Sequence, residues 1–281
     1  MYLALFEQVL GIVNRENDLN GDNIVEKIKE QLEKVDPPTC KEWEKKSSDI
    51  NYKFSVDSYF GKEELTLLHI ACLNNQESVV KALLEAQDIG VNLQNQSQET
   101  PLHLAIEKGN ENIVNALLID AKDNEFGITA LYLASQNGHT EIVELLISTK
   151  NADVNIVDKK NNVTPLYLAA QNGHAAVVKL LLDNGAKVNG CDTSMNPLCV
   201  AIDNGHDEVA QLLLSVEGVD VNIGNQLGNT PLHIAAMKGN EKMARLLLEK
   251  GADPNIKNLS GDTSLQAAEY VRKITPYVLF T

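Results

Sequence analysis

Six histidines and four cysteines are the side chains of this chain that could serve a metal site or a nucleophile. The cysteines stand at Cys40, Cys72, Cys191 and Cys199, with no C-x-x-C spacing. Three histidines follow a Thr-x-Leu triplet and the other three follow a glycine. A metal site needs three or four converging ligands, whereas these histidines recur at intervals of 27 to 36 residues. We therefore predict no metal, no cofactor and structural roles for all six, which are His69, His103, His139, His174, His206 and His233.

The local motifs of common enzyme classes are absent from the sequence. No H-E-x-x-H motif, nucleophile elbow or paired-carboxylate motif occurs. The two glycines between Gly224 and Asn229 lack the pattern of a phosphate-binding loop and predict a turn. Tyr132, Tyr167 and Cys199 follow triplets like those of the histidines, but no base accompanies them, so they are interpreted as packing residues. The sequence predicts no enzymatic activity and no catalytic residue.

One segment recurs through most of the chain. "TPLHIAAMKGNEKMARLLLEKGADPN", from Thr230 to Asn255, matches "TPLYLAAQNGHAAVVKLLLDNGAKVN", from Thr164 to Asn189. The other copies start at Thr66, Thr100, Thr129 and Asn196, and a decayed copy starts at Thr263. The steps between starts are 29 to 35 residues. Such a period indicates stacked units, none of which could bury its apolar face alone.

The copy at Thr164 shows how local chemistry predicts two helices. Thr164 is a good N-cap, and Pro165 suits the first helical position. The helix should end near Gly173, because a left-handed residue commonly terminates a helix. A second helix with a wide apolar face follows, and Asn184-Gly185 ends it before a hairpin-like loop.

These motifs resemble the ankyrin-repeat family over residues 61–281. "TPLH" or a close variant, "NGH" or "KGN", "LLL" and the "GADPN" type recur in order. The resemblance implies an all-α fold, an α-solenoid of about seven helix–turn–helix repeats with short β-hairpin fingers. It also implies protein binding, and hydrogen bonds within and between repeats for the histidine of "TPLH". The repeats would start near residues 61, 95, 124, 159, 191, 225 and 258.

Three copies depart from the pattern. The loop between Leu118 and Gly127 is several residues short, so a stunted finger is expected there. The copy at Asn196 lacks the threonine N-cap. The last copy is degenerate, and Thr275-Pro276 resembles the start of its second helix. It is either a modified end cap or a repeat in a chain that continues beyond Thr281.

Residues 1–60 do not repeat and resemble no family that we recognise. "YLALFEQVLGIV" predicts one helix, and "IVEKIKEQLEKV" predicts a second with Ile24, Ile28, Leu32 and Val35 on one stripe. "YKFSV" predicts a short strand. Repeat arrays need a cover on their terminal apolar face. We therefore expect residues 1–60 to form a helical cap, with these candidate contacts: Leu5, Phe6, Val9, Ile28 and Leu32.

The charge of the chain favours a protein partner with a basic or mixed surface. It carries 39 acidic and 24 basic residues, a net charge of −15. Phosphate backbones and anionic lipids would repel it, so neither nucleic acid nor membrane is expected. The cysteine pattern predicts reduced thiols and a cytoplasmic location, or the host cytosol if the chain is a bacterial effector. We expect a monomer.

Candidate partner-binding residues are those that vary between copies at the fingers and at the ends of the first helices, on an expected concave face. They are Gln96, Ser97, Glu99, Glu107, Lys108, Glu125, Phe126, Gln136, Asn137, Lys160, Asn161, Gln171, Asn172, Asp192, Thr193, Asp203, Asn204, Gln226, Leu227, Asn229, Met237 and Lys238. Phe126, Leu227 and Met237 are predicted anchors, because apolar residues there have no evident folding role. Five acidic members would attract a basic partner.

Two hypotheses about function remain open at this point. The first is a non-enzymatic scaffold that binds a protein through the concave face and fingers. The alternative is the targeting or substrate-recognition half of a longer multidomain protein, an effector for example, whose catalytic domain lies outside this chain. A weaker option makes residues 1–60 a small functional module of their own.

Overall fold

The computed structural model describes residues 2–58, 61–120, 125–150, 152–157, 163–191 and 196–269. Contacts divide the chain into two compact units, Met1–Ala130 and Leu131–Thr281. Across the described ranges the units consist mainly of short α-helices, and none of these helices is long and apolar enough to cross a membrane. The predicted all-α repeat fold is confirmed.

The first unit opens with three helices and a hairpin. They are α1 (Tyr2–Val13), α2 (Ile24–Val35), α3 (Pro37–Lys45), β1 (Phe54–Ser58) and β2 (Gly61–Leu65). The strands are antiparallel, with Phe54 opposite Leu65. Both predicted helices are confirmed, and the predicted strand is present two residues further along. The predicted domain boundary at residue 60 falls between β1 and β2 in the sequence.

The apolar stripe of α2 is buried over most of its length. Ile24, Ile28 and Leu32 have no exposed surface, and their spacing puts them on one face of the helix. Val35 was predicted on the same stripe, but its side chain is 38% exposed. Val35 is the last residue of α2, where the chain turns into α3, so it lies beyond the packed part of the stripe.

Two regular helix pairs follow in the first unit. They are α4 (Leu67–Leu73) with α5 (Glu77–Glu85), and α6 (Pro101–Glu107) with α7 (Glu111–Asp120). Helix α4 packs against α6, and α5 packs against α7. In the same manner α1 packs against α4 and α2 packs against α5. Helices α1 and α2 therefore stand where a further repeat pair would stand, and α3 is an additional helix.

One link between this N-terminal part and the first repeat is made by Asn51. The Asn51 side-chain amide donates to the Asp88 carbonyl at 2.7 Å, and its Oδ1 accepts from the Gly90 N–H at 2.7 Å. The second unit repeats this pair of bonds three times, to backbone groups 29 to 32 residues further along, from Asn155, Asn189 and Asn222. Asn51 is therefore an equivalent of the repeat asparagine within a segment that shows no sequence repeat.

Asn14 makes a second link between the N-terminal part and the first repeat. Its Oδ1 accepts from the backbone N–H groups of Ser78 at 2.9 Å and Val79 at 3.2 Å. These are first-turn groups of α5, which have no helical partner of their own. The N-cap residue of α5, Gln76, supplies no side-chain bond. A residue of the N-terminal segment thus caps a helix of the first repeat.

The later helices follow the same stacking rule. They are α8 (Glu125–Asn137), α9 (Thr140–Lys150), α10 (Pro165–Gln171), α11 (Ala175–Asp183), α12 (Pro197–Asp203), α13 (Asp207–Leu214), α14 (Pro231–Lys238) and α15 (Glu241–Glu249). Helices α10, α12 and α14 pack successively, as do α9, α11 and α13. Residues 264–269 are helical as well. Thr275-Pro276 lies outside the described residues.

One local expectation needs correction, and one departure from the repeat pattern is compensated. Glu125 and Phe126 were expected in a finger, but they lie in the first turn of α8. Only four residues separate α7 from α8, which is too few for a hairpin finger with both helix caps. Asn196 lacks the threonine hydroxyl yet does cap α12, because its Oδ1 accepts from the N–H groups of Leu198 and Cys199.

We expect Asn51→Ala to lower the free energy of unfolding by about 2 kcal/mol, because two hydrogen bonds to backbone groups are lost. The matched control is Asn17→Ala, which removes an exposed asparagine and should change stability by less than about 0.5 kcal/mol. Urea unfolding monitored by circular dichroism measures both. Equal stability of the two variants would contradict the linking role of Asn51.

Candidate partner-binding surface

Two fingers in the described part of the second unit are tight turns organised by an asparagine. Asn225 N–H donates to the Asn229 carbonyl at 2.9 Å, and Asn225 Oδ1 accepts from the Asn229 and Leu227 N–H groups. Gly228 closes the turn at φ +71°, a conformation that favours glycine. Asn258 organises the next finger in the same way. The backbone of each finger is therefore held by its own hydrogen bonds.

Two neighbouring fingers present exposed leucines and are bonded to each other. The side chains of Leu227 and Leu259 are 64% and 79% exposed. Leu259 N–H donates to the Leu227 carbonyl at 3.0 Å, and the Asn258 amide donates to Asn229 Oδ1 at 2.8 Å. These bonds hold the two leucines on adjacent tips. We call Leu227 and Leu259 the fingertip pair.

The residue that ends a "TPLH"-type motif connects its helix to the next finger in four of the repeats. His69 accepts through Nδ1 from the Thr66 N–H, and its Nε2 lies 3.2 Å from the Glu99 carbonyl, immediately before Thr100. His233 makes the equivalent contact to the Asp262 carbonyl at 3.0 Å. The structural role predicted for these two histidines is confirmed.

Other side chains make the same connection where histidine is absent. The Cys199 thiol lies 3.7 Å from the Asn229 carbonyl, and the Tyr132 hydroxyl donates to the Val163 carbonyl. Each of these carbonyls comes directly before the N-cap of the next repeat. Burial raises the pKa of the Cys199 thiol to about 12, with a smaller contribution from Asp203, so the thiol stays protonated near neutral pH. This agrees with the interpretation of Cys199 and Tyr132 as structural residues.

Two of the histidines that follow glycine connect the ends of successive first helices, whereas Nε2 of His139 is buried without a hydrogen-bond partner among the described residues. His174 Nε2 lies 2.9 Å from the Gln136 carbonyl, and His206 Nε2 lies 3.0 Å from the Gln171 carbonyl. Within the described part of the chain, no group of three or more His, Cys, Asp or Glu side chains could hold a metal ion. All four cysteines are free thiols.

Most candidates at the ends of the first helices are exposed. Those with exposed side chains are Glu107, Lys108, Gln136, Asn137, Gln171, Asn172, Asp203, Asn204 and Lys238, whereas Met237 is half-buried. Asn172 and Asn204 are not free, because each donates its amide to a carbonyl four residues back in its own helix. Lys238 pairs with Asp203 at 2.9 Å across neighbouring repeats.

The finger candidates divide into exposed and internal residues. Gln96, Ser97, Gln226 and Leu227 are exposed. Glu99 is half-buried and accepts from the Asn95 amide at 2.9 Å. Asn229 was predicted on the surface but is 8% exposed, because it bonds both Asn225 and Asn258. Four candidates lie outside the described residues, namely Lys160, Asn161, Asp192 and Thr193.

Sequence reasoning missed Leu259, although a signal was present. Leu259 stands directly after the turn-forming Asn258 and two residues before Gly261, so it had to lie in a finger turn. An apolar residue in such a turn has no core to enter. The fingertip pair is therefore the most apolar feature among the described candidates.

The comparison with known families gives a match over most of the chain. A sequence profile for ankyrin repeats, in three copies, matches residues 28–126, 118–192 and 189–258. The match begins inside the segment in which no repeat was recognised from sequence. That beginning agrees with the repeat-like placement of α2 and Asn51.

Three curated relatives are considerably longer than the matched region. The nuclear factor NF-kappa-B p105 subunit of Gallus gallus is 29% identical over 261 residues, which are 86% of this chain and 21% of that protein. The B-cell lymphoma 3 protein homolog of Mus musculus is 30% identical over 81% of this chain and 52% of its own length. Rabankyrin-5 of Homo sapiens is 32% identical over 66% of this chain and 15% of its own length. The chain thus spans between 15% and 52% of these relatives.

We expect acid to destabilise the protein through His69. Burial lowers the pKa of His69 from 6.5 to about 4, so the folded state keeps it neutral. Between these two values the unfolded chain binds the proton and the folded chain does not, so stability falls as pH falls through this window. The difference between the two pKa values corresponds to a loss of roughly 3 kcal/mol in the free energy of unfolding once the pH is below the pKa of the folded state.

The variant His69→Gln isolates this effect. It should be less stable than the unmodified protein at pH 7, having lost packing and hydrogen bonds, but its stability should change less between pH 7 and pH 4. Carboxylates contribute equally to both proteins, so they cancel in the difference. Urea unfolding between pH 7 and pH 4 measures the stability of both proteins. Parallel pH profiles would show that His69 is not the group responsible.

Proposed function

Since the chain belongs to the ankyrin-repeat family, we propose that it is a non-enzymatic scaffold that binds a protein partner through its finger tips and the ends of its first helices. The fingertip pair is the observation that carries this proposal. Interface energy usually concentrates in a few residues, and the side chains of Leu227 and Leu259 are apolar and exposed.

Rigid presentation strengthens the case for the fingertip pair. The turns at Asn225 and Asn258 close on themselves, and the bond from Leu259 N–H to the Leu227 carbonyl fixes one tip against the other. A surface that is already ordered loses little conformational entropy on binding. The two leucines can therefore contribute most of their burial energy to affinity.

Charge favours a partner with a basic or mixed surface. Residues 1–130 carry 23 acidic and 12 basic side chains, a net of −11, and residues 131–281 carry 16 and 12, a net of −4. Both values repel nucleic acid and anionic membranes. A monomer and a cytoplasmic location belong to this proposal, the latter supported by the four free thiols.

We expect Leu227→Ala and Leu259→Ala each to weaken partner binding about tenfold, with unchanged circular dichroism and melting temperature. The partner is first captured by affinity pull-down with cross-linking mass spectrometry, and affinity is then measured by calorimetry. The matched control is Leu248→Ala, since Leu248 is 48% exposed on the second helix α15. Binding that is lost in the control and kept in the fingertip variants would place the interface elsewhere.

Charge reversal should act on the association rate. Glu107→Lys and Asp203→Lys each remove an exposed carboxylate at the end of a first helix, so the encounter with a basic partner should slow at low salt. Asp203 also loses its exposed pair with Lys238, which costs little stability. Glu249→Lys, on the outer helix α15, serves as the control. Stopped-flow kinetics at two salt concentrations measures the association rate of each variant. Equal rates in all three variants would argue against electrostatic steering of the partner.

The alternative proposal makes this chain the recognition part of a longer multidomain protein. The greater length of the relatives supports it, because the region similar to this chain occupies 15% to 52% of each. The natural open reading frame tests it directly. A catalytic domain encoded in the same frame would favour this alternative, and a stop codon after Thr281 would remove it.

A further inference from the structure

A groove of about 360 Å³ lies between α3 and the β1–β2 hairpin of the first unit. Phe54 forms part of its lining and is only 4% exposed. Its ring packs against Phe6 at 4.5 Å, Tyr52 at 4.8 Å and Trp43 at 5.7 Å between centroids. Because three rings hold Phe54, the base of the groove is aromatic and fixed in shape.

Two carboxylates and a tyrosine ring are part of the groove lining. The Tyr52 hydroxyl donates to Glu42 Oε1 at 3.1 Å, and Glu64 also lines the groove. Burial raises the pKa of Tyr52, and the bond to Glu42 and the charges of Glu42 and Glu64 raise it further. Glu42 is therefore bonded to the phenol, and Glu64 lines the same groove. Two anions beside an aromatic face suit a guanidinium or ammonium group.

Two basic residues, Lys53 and Lys62, line the groove together with Glu42 and Glu64. Lys53 donates its amine to the Gln94 carbonyl at 2.8 Å, in the next finger. Lys62 lies opposite Asp57 in the hairpin register. Around the groove, the first unit as a whole carries a net charge of −11. The net charge of the unit favours a cationic occupant.

The hairpin provides an extended backbone beside this groove. Its sheet has two strands in the described part of the chain, so no third strand pairs with either outer edge there. The fingers at Asn225 and Asn258 are tight turns. The hairpin of the first unit is longer, because β1 and β2 have five residues each. The groove thus depends on features that those fingers lack, namely α3 and a long hairpin. An extended peptide is the ligand that such a strand edge accommodates.

We infer that this groove docks an extended segment of the partner protein and receives an arginine or lysine side chain between Glu42, Glu64 and the Tyr52 ring. The inference rests on the proposed protein-binding function, because it takes a protein segment as the occupant. It adds a second contact, chemically distinct from the apolar fingertip pair and located in the other unit.

Two blocked heptapeptides of serine and valine test the groove on the full ¹⁵N-labelled chain. One carries two arginines, and the other carries two glutamates at the same places. The arginine peptide should shift the Trp43 indole resonance and the amides of β1 and β2, and should bind at least about tenfold more tightly than the glutamate peptide. The double variant Glu42→Gln, Glu64→Gln should lose most of this binding, with an unchanged circular dichroism spectrum.

The control is Glu30→Gln, Glu33→Gln, which removes two exposed carboxylates from α2 and should leave peptide binding within about twofold. Equal binding of the two peptides, shifts confined to other parts of the chain, or no effect of the Glu42 and Glu64 variant would overturn the inference. Leu227→Ala and Leu259→Ala separate the two proposals. If they abolish partner binding while the groove variant leaves it intact, the proposed function stands and the groove inference fails.

Discussion

One contact recurs in both units, from the last side chain of four "TPLH"-type motifs to the carbonyl before the next N-cap. His69 and His233 make it through Nε2, while Cys199 and Tyr132 make it with a thiol and a hydroxyl. The same histidines complete the capping boxes of their own helices. A single side chain therefore sets where a helix starts and where the following finger lies. The position accepts different residues because only a donor of the right reach is needed.

The asparagine bonds provide the second constraint and explain how a segment without sequence repeats can continue the stack. Asn51 makes the two bonds that Asn155, Asn189 and Asn222 make, although its partners are 37 and 39 residues away. The additional distance accommodates the long hairpin between Asn51 and α4. Helices α1 and α2 then pack on α4 and α5 without copying their sequence, because helix packing needs apolar residues at helical spacing and no particular residue types.

These constraints also separate the residues that fold the chain from those that are free to bind. Asn229 and Glu99 vary between copies, yet both are held by hydrogen bonds within the fingers. Leu227 and Leu259 contribute their backbone groups to the same turns and leave their side chains in solvent. A finger has no interior, so an apolar side chain there gains nothing from folding and can be used for recognition.

The sequence alone determined the family, the helices of the regular repeats and the structural role of the "TPLH" histidines, because caps, helical spacing and repeat length are local properties. It also determined that Leu227 would be exposed. Tertiary structure decided the rest. The partners of Asn51 are distant in the chain, so its equivalence to the repeat asparagines could not be read locally. Glu125 and Phe126 joined α8 because the short connection from α7 leaves no room for a finger. The groove beside Phe54 arises only where α3 and the hairpin meet, and neither segment alone contains it.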